Sequence, residues 1–272
     1  MKKVFIYCLL IILSCSLTYG QNISSKRFKK PLMVIDVVGG LNIPVHDFKG
    51  SYIDEIYNFQ SYAAGIGFHT GVNVKLAVAT FEQCQFRLTL NLGYSHYVNS
   101  DGGAYKDIYV VPVGWPQYGY INPVRIGGTS SVRYNIPYVA VGGEYAIFVD
   151  PLLQSSFNFG IDANMSIITG RVFNQPWGLQ ETFNTYHGNV RLGIGGNIAY
   201  NYRFVPEFGI TVGMRYQLMN LLLRSSSTTD ENGYLYLNDM ADQSLNQNLS
   251  SSRIMGNFSF FAGFNFYIGT RK

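Results

Sequence analysis

Apolar and polar residues alternate in eight separate segments of this 272-residue chain, and that alternation limits the possible folds more than any other feature. Successive side chains of a β-strand point to opposite faces, so each segment is predicted to be a strand with one apolar face and one polar face. The predicted strands lie within Met33–Asn42, Ile66–Leu76, Phe86–Ser95, Val132–Phe148, Ser156–Ile167, Val190–Arg203, Phe208–Gln217 and Asn257–Ile268.

The fourth segment, Val132–Phe148, alternates less regularly than the others. Tyr134, Ile136 and Tyr138 are assigned to its apolar face. An uninterrupted strand would place Glu144 on that same face. We therefore expect a β-bulge at Gly142-Gly143 that returns Glu144 to the polar face.

The connections between the segments alternate in length. Short links at 80–84, 150–154 and 205–207 separate long ones at Ile43–Gln60, Asn99–Ser130, Arg171–Gly188 and Arg224–Ser252. This order is typical of bacterial outer-membrane barrels. The predicted fold is an all-β, eight-stranded antiparallel up-and-down transmembrane β-barrel, with short periplasmic turns, four longer extracellular loops and both termini in the periplasm.

A soluble barrel of the lipocalin type would also alternate, but with its apolar face turned inward. Composition argues against it, because charged residues make up 13% of the chain and roughly 25% of ordinary soluble domains. Aromatic residues also gather at both ends of the apolar faces, as two membrane interfaces require. They are Phe81, Phe86, Phe148, Phe157, Phe204, Phe208 and Phe266 near the short turns, and Tyr94, Tyr134, Tyr138 and Tyr216 towards the long loops.

The N-terminus has the features of a secretory signal peptide. Lys2 and Lys3 precede the apolar run Val4–Leu13, and small residues stand before a cleavage site at Gln21. A lipoprotein anchored through Cys15 is the alternative, although Ile12-Leu13-Ser14 fits a lipobox poorly. The expected organisation is a signal peptide at 1–20, a periplasmic segment at 21–30 and one barrel domain at 31–272.

Cleavage would leave a mature chain with little net charge and one cysteine. Removing two lysines lowers the formal charge from +4 to 4 − 2 = +2, which argues against a nucleic-acid partner. Cys84 would have no intrachain disulfide partner.

The polar faces carry charged residues into a lumen that is only wide enough to be filled by side chains. Because charges removed from water must be paired, we expect an ion-pair network that plugs the barrel. A gated solute or proton path, in which an arginine exchanges carboxylate partners, is the alternative. The predicted members are Asp36, Lys75, Arg87, Glu144, Asp162, Arg191, Arg203 and Arg215.

No pattern in the chain predicts catalysis, a metal or a cofactor. Ser95 and His96 are adjacent and so face opposite ways on a strand, and His187 has no evident partner. No His, Cys and Asp cluster has the spacing of metal ligands. The glycines of Gly193–Gly196 lie inside a strand, where they indicate close backbone approach and not a phosphate-binding loop.

Two long connections have compositions of their own. Asn99–Ser130 combines prolines with five aromatic residues suited to stacking on sugars or proteins, or to packing over the barrel mouth. These candidate extracellular contacts are Tyr105, Tyr109, Trp115, Tyr118 and Tyr120. Arg224–Ser252 is rich in Ser and Asn and is expected to be mobile and solvated.

Several features together resemble the small outer-membrane β-barrel proteins of the Bacteroidota. They are the signal peptide ending before Gln21, the Asn135-Ile136-Pro137 step and the Gly- and aromatic-rich strands that end in Phe258–Ile268. That family, a porin-like outer membrane protein beta-barrel domain, is similar to the eight-stranded OmpA and OmpX barrels. Gly263, Phe266 and Ile268 also resemble the C-terminal signal read by the barrel-assembly machinery, although Phe261 departs from it.

The resemblance implies the barrel fold and the cell outer membrane, and the residues favour a non-enzymatic protein with a structural or surface-interaction role and no cofactor. Its partners would be outer-membrane lipid, the barrel-assembly machinery and an unidentified surface or periplasmic protein. The alternative is a narrow gated channel, or an accessory component of an export complex.

Overall fold

The computed structural model describes residues 28–56, 60–108, 124–176, 182–226, 234–240 and 252–270, with backbone only for 54, 101–108, 124–127, 176 and 270. Eight antiparallel strands follow one another around a closed ring, in which β8 pairs with β1. The strands are β1 (Pro31–His46), β2 (Gly67–Thr80), β3 (Cys84–Ile108), β4 (Val124–Phe148), β5 (Ser155–Pro176), β6 (Thr182–Val205), β7 (Phe208–Leu222) and β8 (Met255–Thr270). The predicted eight-stranded architecture is confirmed.

The barrel carries its large apolar side chains on the outside. Ile161 is 75% exposed and Leu41 and Val141 are each 60% exposed, whereas the residues between them on the same strands point into a mostly polar interior. The predicted faces are confirmed for every segment except the fourth. Within the described residues, no helix is long and apolar enough to cross a membrane.

At its long-loop end, β4 points into the barrel with the face that is predicted to point outward. Tyr134 and Ile136 are completely buried inside the barrel, as is Glu144, and the pairing of β3 with β4 runs unbroken from Asn99↔Val132 to Cys84↔Ile147. The expected bulge at Gly142-Gly143 is therefore wrong.

Three aromatic positions assigned to the membrane-interface belts also lie inside the barrel because of this register. They are Tyr134 and Tyr138, assigned to the long-loop belt, and Phe148, assigned to the short-turn belt. The alternation gave the correct period, but the assumption that the apolar face of β4 points outward gave the wrong phase.

The strands extend well beyond their apolar faces at the long-loop end. β3 and β4 have 25 residues each, so that the connection between them is 109–123, and β5 and β6 are joined through 177–181. Much of the predicted loops Asn99–Ser130 and Arg171–Gly188 is therefore strand. Hydrogen bonding between strands continues where the outward residues become polar. The apolar periodicity stops there, so it does not show where the strands end.

The candidate extracellular contacts lie at or beyond the end of β3. Tyr105 lies on β3 with its side chain outside the described part, and Tyr109, Trp115, Tyr118 and Tyr120 lie outside the described residues altogether.

The interior of the barrel at the long-loop end is apolar. Residues of the β1–β2 connection, including the short 3₁₀ helix Ile53–Ile56, fold into the mouth together with 235–237. Phe48 lies at the centre, with its ring centroid 4.7 Å from that of Tyr97 and 5.5 Å from that of Tyr134. We call this set the mouth core: Phe48, Ile53, Ile56, Tyr62, Ala63, Ala64, Tyr97, Val132, Tyr134, Ile136, Ile168, Val172, Tyr186, Met219, Leu235, Leu237 and Met255.

Candidate functional site

The eight charged residues expected in the lumen all lie in the barrel interior, and none is more than 8% exposed. They occupy the region between the mouth core and the short turns. The structure divides them into a four-residue cluster, two separate ion pairs and one arginine that binds backbone and aromatic rings.

The four-residue cluster joins β1 to β4. Arg87 and Glu144 are directly opposite in the β3–β4 register, and Arg87 Nη1 lies 3.1 Å from Glu144 Oε1. Lys75 Nζ bridges the two acids, at 2.5 Å from Glu144 Oε2 and 2.9 Å from Asp36 Oδ2. Arg87 Nε also donates to Gln85 Oε1 at 2.8 Å. Two cations and two carboxylates make the cluster neutral, as a buried charge group requires.

The first of the two separate ion pairs lies across the lumen from this cluster. Arg215 Nη2 on β7 is 2.6 Å from Asp162 Oδ1 on β5, and the guanidinium carbon lies 5.5 Å from the ring centroid of Tyr138. A cavity of about 30 Å³, lined by His69 and Asn73 among others, separates the pair from the four-residue cluster. It has room for about two water molecules, so the described interior holds no wide channel at this level.

The other separate ion pair joins Arg191 to Asp239, a residue that sequence reasoning missed. Arg191 donates from Nε at 2.7 Å and from Nη2 at 2.8 Å to the two carboxylate oxygens of Asp239, which is completely buried. Asn220 Nδ2 and the Ser225 amide donate to the same carboxylate, each at 3.0 Å. Asp239 lies in a connection without strand periodicity, so the sequence pattern does not indicate which way its side chain points.

The stretch 234–240 contradicts the expectation that the whole of Arg224–Ser252 is mobile and solvated. Leu235 and Leu237 are buried in the mouth core, and the Leu235 amide donates to the Thr185 carbonyl at 2.9 Å. The Tyr62 hydroxyl donates to the Leu237 carbonyl at 3.0 Å, and burial holds the pKa of that hydroxyl far above its ordinary value, so it remains protonated as a donor. Arg253 lies over the Tyr62 ring at 4.1 Å. The segment is thus fixed inside the barrel mouth.

Arg203 forms no ion pair with a described carboxylate and instead holds the N-terminal segment. Its Nη1 donates to the Lys29 carbonyl at 2.8 Å, and its guanidinium carbon lies 4.3 Å from the Tyr267 ring centroid and 5.1 Å from that of Phe28. The Phe28 amide donates to the Leu152 carbonyl in the β4–β5 turn at 2.9 Å. Residues 28–30 therefore cross the short-turn end of the barrel. The predicted network includes Arg203 as an ion-pair member, which the described contacts do not give it.

The four histidines contact a phenol hydroxyl, an amide oxygen or an aromatic ring. His46 Nε2 is 2.6 Å from the Tyr216 hydroxyl, and His96 Nδ1 is 2.8 Å from Asn135 Oδ1. His187 stacks on a tyrosine ring, and the His69 ring meets the Phe261 ring edge-on. Within the described residues, no group of three or more His, Cys, Asp or Glu side chains could hold a metal ion.

No family model and no curated protein matches the sequence. Solved structures are similar to it at low identity. Neisserial surface protein A is 10% identical, covering 87% of this chain and 97% of that chain, with a TM-score of 0.40. Ail, the attachment invasion locus protein of Yersinia pestis, is 8% identical over 87% and 99%, with a TM-score of 0.35. The outer membrane protease OmpT of Escherichia coli is 11% identical over 91% and 99%, with a TM-score of 0.39. At these identities no residue role can be transferred.

Proposed function

We propose that this chain is an integral outer-membrane β-barrel with a sealed lumen, which serves a structural or surface-interaction role without enzymatic activity. The observation that carries the proposal is the inverted polarity of the closed barrel. Its ion pairs are buried inside, whereas large apolar side chains cover the outside and are as much as 75% exposed. In water, such an apolar surface would be unstable and prone to aggregation, whereas a lipid bilayer would cover it.

The dimensions of the apolar band support a membrane. On β5 it runs from Phe157 to Ile167, which are ten residues apart. At about 3.3 Å per residue this is about 33 Å along the strand, and a tilt of about 40° reduces it to about 25 Å of height. That height matches the apolar band of outer-membrane barrels.

Three layers of side chains support a sealed lumen. The mouth core closes the long-loop end, the ion pairs fill the middle, and residues 28–30 cross the short-turn end. A barrel filled in this way would not conduct solutes. Its function would then reside in the surface presented beyond the membrane.

The orientation and biogenesis follow from the same reading. Export through a signal peptide at 1–20 would place the short turns and both termini in the periplasm and the long connections outside. On β8, Phe266 and Ile268 face outward at 43% and 45% exposure, where the barrel-assembly machinery could read them together with Gly263.

Gel mobility and conductance test the proposal. The native chain in detergent should migrate differently from the heated chain, and it should stay insoluble without detergent; ready solubility in buffer would disprove the membrane assignment. In planar bilayers the protein should give no conductance steps.

A narrow gated channel is the second candidate, favoured by the bridging position of Lys75 between two carboxylates. It predicts conductance steps that disappear in Glu144→Ala or Asp162→Ala. Silence of the native protein over the full voltage range would exclude it.

A further inference from the structure

The outer wall of the barrel carries one protruding apolar side chain between two glycines. Ile161 on β5 lies directly opposite Gly143 on β4 and directly opposite Gly196 on β6. It is 75% exposed, more than any other large apolar side chain in the described part of the chain. Because a glycine has no side chain to cover its neighbour, Ile161 projects from the wall on both sides.

An apolar groove of about 370 Å³ lies beside this protrusion and opens to the outside, with Gly196 in its floor. A Cβ atom added at Gly196 would meet no atom nearer than the Gly160 carbonyl oxygen at 3.7 Å, so the position itself is open. The volume lies in the range of about 300–1,000 Å³ that holds whole ligands, and it is ample for one isoleucine side chain. The side walls of the groove are large and apolar or aromatic: Phe159, Ile198, Met214, Tyr216 and Phe258.

The symmetry of a membrane makes the protrusion and the groove complementary to each other. Two copies with the same orientation in one membrane are related by a twofold axis along the membrane normal, and such an axis brings one surface patch against the same patch of the other copy. An axis that passes between Ile161 and Gly196 would place Ile161 of each copy in front of Gly196 of the other.

The heights of the two positions agree with this arrangement. Directly opposite residues on neighbouring strands are about 5 Å apart, and a strand tilt of about 40° makes their heights differ by about 3 Å. The groove is lined by two successive outward rows, which are about 7 Å apart along a strand. The offset of about 3 Å therefore stays within the length of the groove.

We propose that the chain forms a twofold dimer in the membrane, in which Ile161 of each copy packs into the groove over Gly196 of the other. This rests on the proposed membrane location. Lipid tails are as apolar as isoleucine, so close packing and not burial drives association between membrane-spanning surfaces. A protrusion beside an open groove provides that packing twice in a twofold dimer. A flexible acyl chain would fill the groove but would leave Ile161 without a fitted partner.

Sedimentation equilibrium of the full chain in a detergent of matched density tests this proposal. The dimer fraction of the unmodified protein should rise with the ratio of protein to detergent. Ile161→Ala, which removes the protrusion, and Gly196→Ile, which fills the groove, should each raise the dissociation constant of the dimer by at least about tenfold, because the twofold axis applies each change twice. The double variant Ile161→Ala/Gly196→Ile exchanges protrusion and gap, and it should associate more tightly than Gly196→Ile alone.

Leu41→Ala is the matched control. Leu41 is an outward apolar side chain that is 60% exposed, and its strand β1 lies across the ring from β5. This variant should dimerise as the unmodified protein does. Unchanged association of both Ile161→Ala and Gly196→Ile would overturn the proposal, and so would an equal loss in Leu41→Ala. A monomeric unmodified protein would also overturn it, and phospholipid retained by that monomer would assign the groove to an acyl chain.

The heat-dependent gel shift, measured on the same samples, separates the dimer from the membrane barrel. Variants that keep the shift and lose the dimer support the proposal. An unmodified protein that keeps the shift and stays monomeric contradicts only the dimer. An unmodified protein that shows no shift and dissolves without detergent contradicts the membrane barrel itself.

Discussion

Replacement of Glu144 by glutamine removes the carboxylate that both Lys75 and Arg87 contact. Glu144 and Arg87 are each 1% exposed, so solvent does not screen the lost charge. Removal of one partner from a buried ion pair costs about 3–5 kcal/mol. Lys75 keeps Asp36 at 2.9 Å, and Arg87 still donates to Gln85 Oε1 at 2.8 Å. We therefore expect a loss of about 3 kcal/mol in the free energy of unfolding, at the lower end of that range.

Urea titration in detergent micelles measures this loss, with the folded fraction read from the heat-dependent gel shift. Glu82→Gln is the matched control, because it removes one carboxylate from the exposed turn between β2 and β3. It should change the free energy of unfolding by less than about 0.5 kcal/mol.

A Glu144→Gln variant as stable as the Glu82→Gln control would refute the reasoning that this cluster stabilises the barrel. The cluster would then have to be retained for another reason, and the gated channel would become the better account. A double-mutant cycle with Lys75→Gln provides an internal check. The coupling energy should be favourable and above about 0.5 kcal/mol, because the two side chains are in direct contact.

Three further predictions concern space, the mouth and the short-turn end. Gly195→Ala should lower stability by about 1–3 kcal/mol, because a Cβ there would lie 2.9 Å from Asp162 Oδ1 and 3.0 Å from Arg215 Nη2. Gly196→Ala should be neutral in the same urea titration, since the nearest atom would be 3.7 Å away. Asp239→Asn should speed amide hydrogen exchange at 235–237 and protease cleavage nearby, because the segment loses its ionic contact with Arg191; unchanged exchange would contradict that anchoring role. Arg203→Gln should expose residues 28–30 to protease while leaving the rest of the barrel protected.

The sequence predicts the ring of strands and most of the faces because the membrane-type barrel imposes one simple requirement. Every strand needs an apolar outer face, so alternation is visible wherever that face is long, as on β5 from Phe157 to Ile167. The same requirement places Lys75, Arg87 and Asp162 inside, since each lies between apolar outward neighbours.

The mouth could not be predicted in the same way, because its interior is apolar. Tyr134 and Ile136 resemble lipid-facing residues in sequence, but they face Phe48 and Tyr62 from a connection folded into the barrel. Asp239 follows no strand period, and its role depends on a fold of the connection that only tertiary contacts define.

The phase of β4 nevertheless follows from its neighbour once pairing is considered. Residues directly opposite in an antiparallel pair share a face, and Arg87 must face the interior because it lies between the outward residues Phe86 and Leu88. The β3–β4 register pairs Arg87 with Glu144 near the short-turn end, so Glu144 must face the interior too. Without a bulge, every second residue back to Tyr134 then points inward. When an acid lies on an otherwise apolar strand face and an inward-facing base lies opposite it on the next strand, no bulge is needed. The simpler explanation is that the whole apolar face points inward.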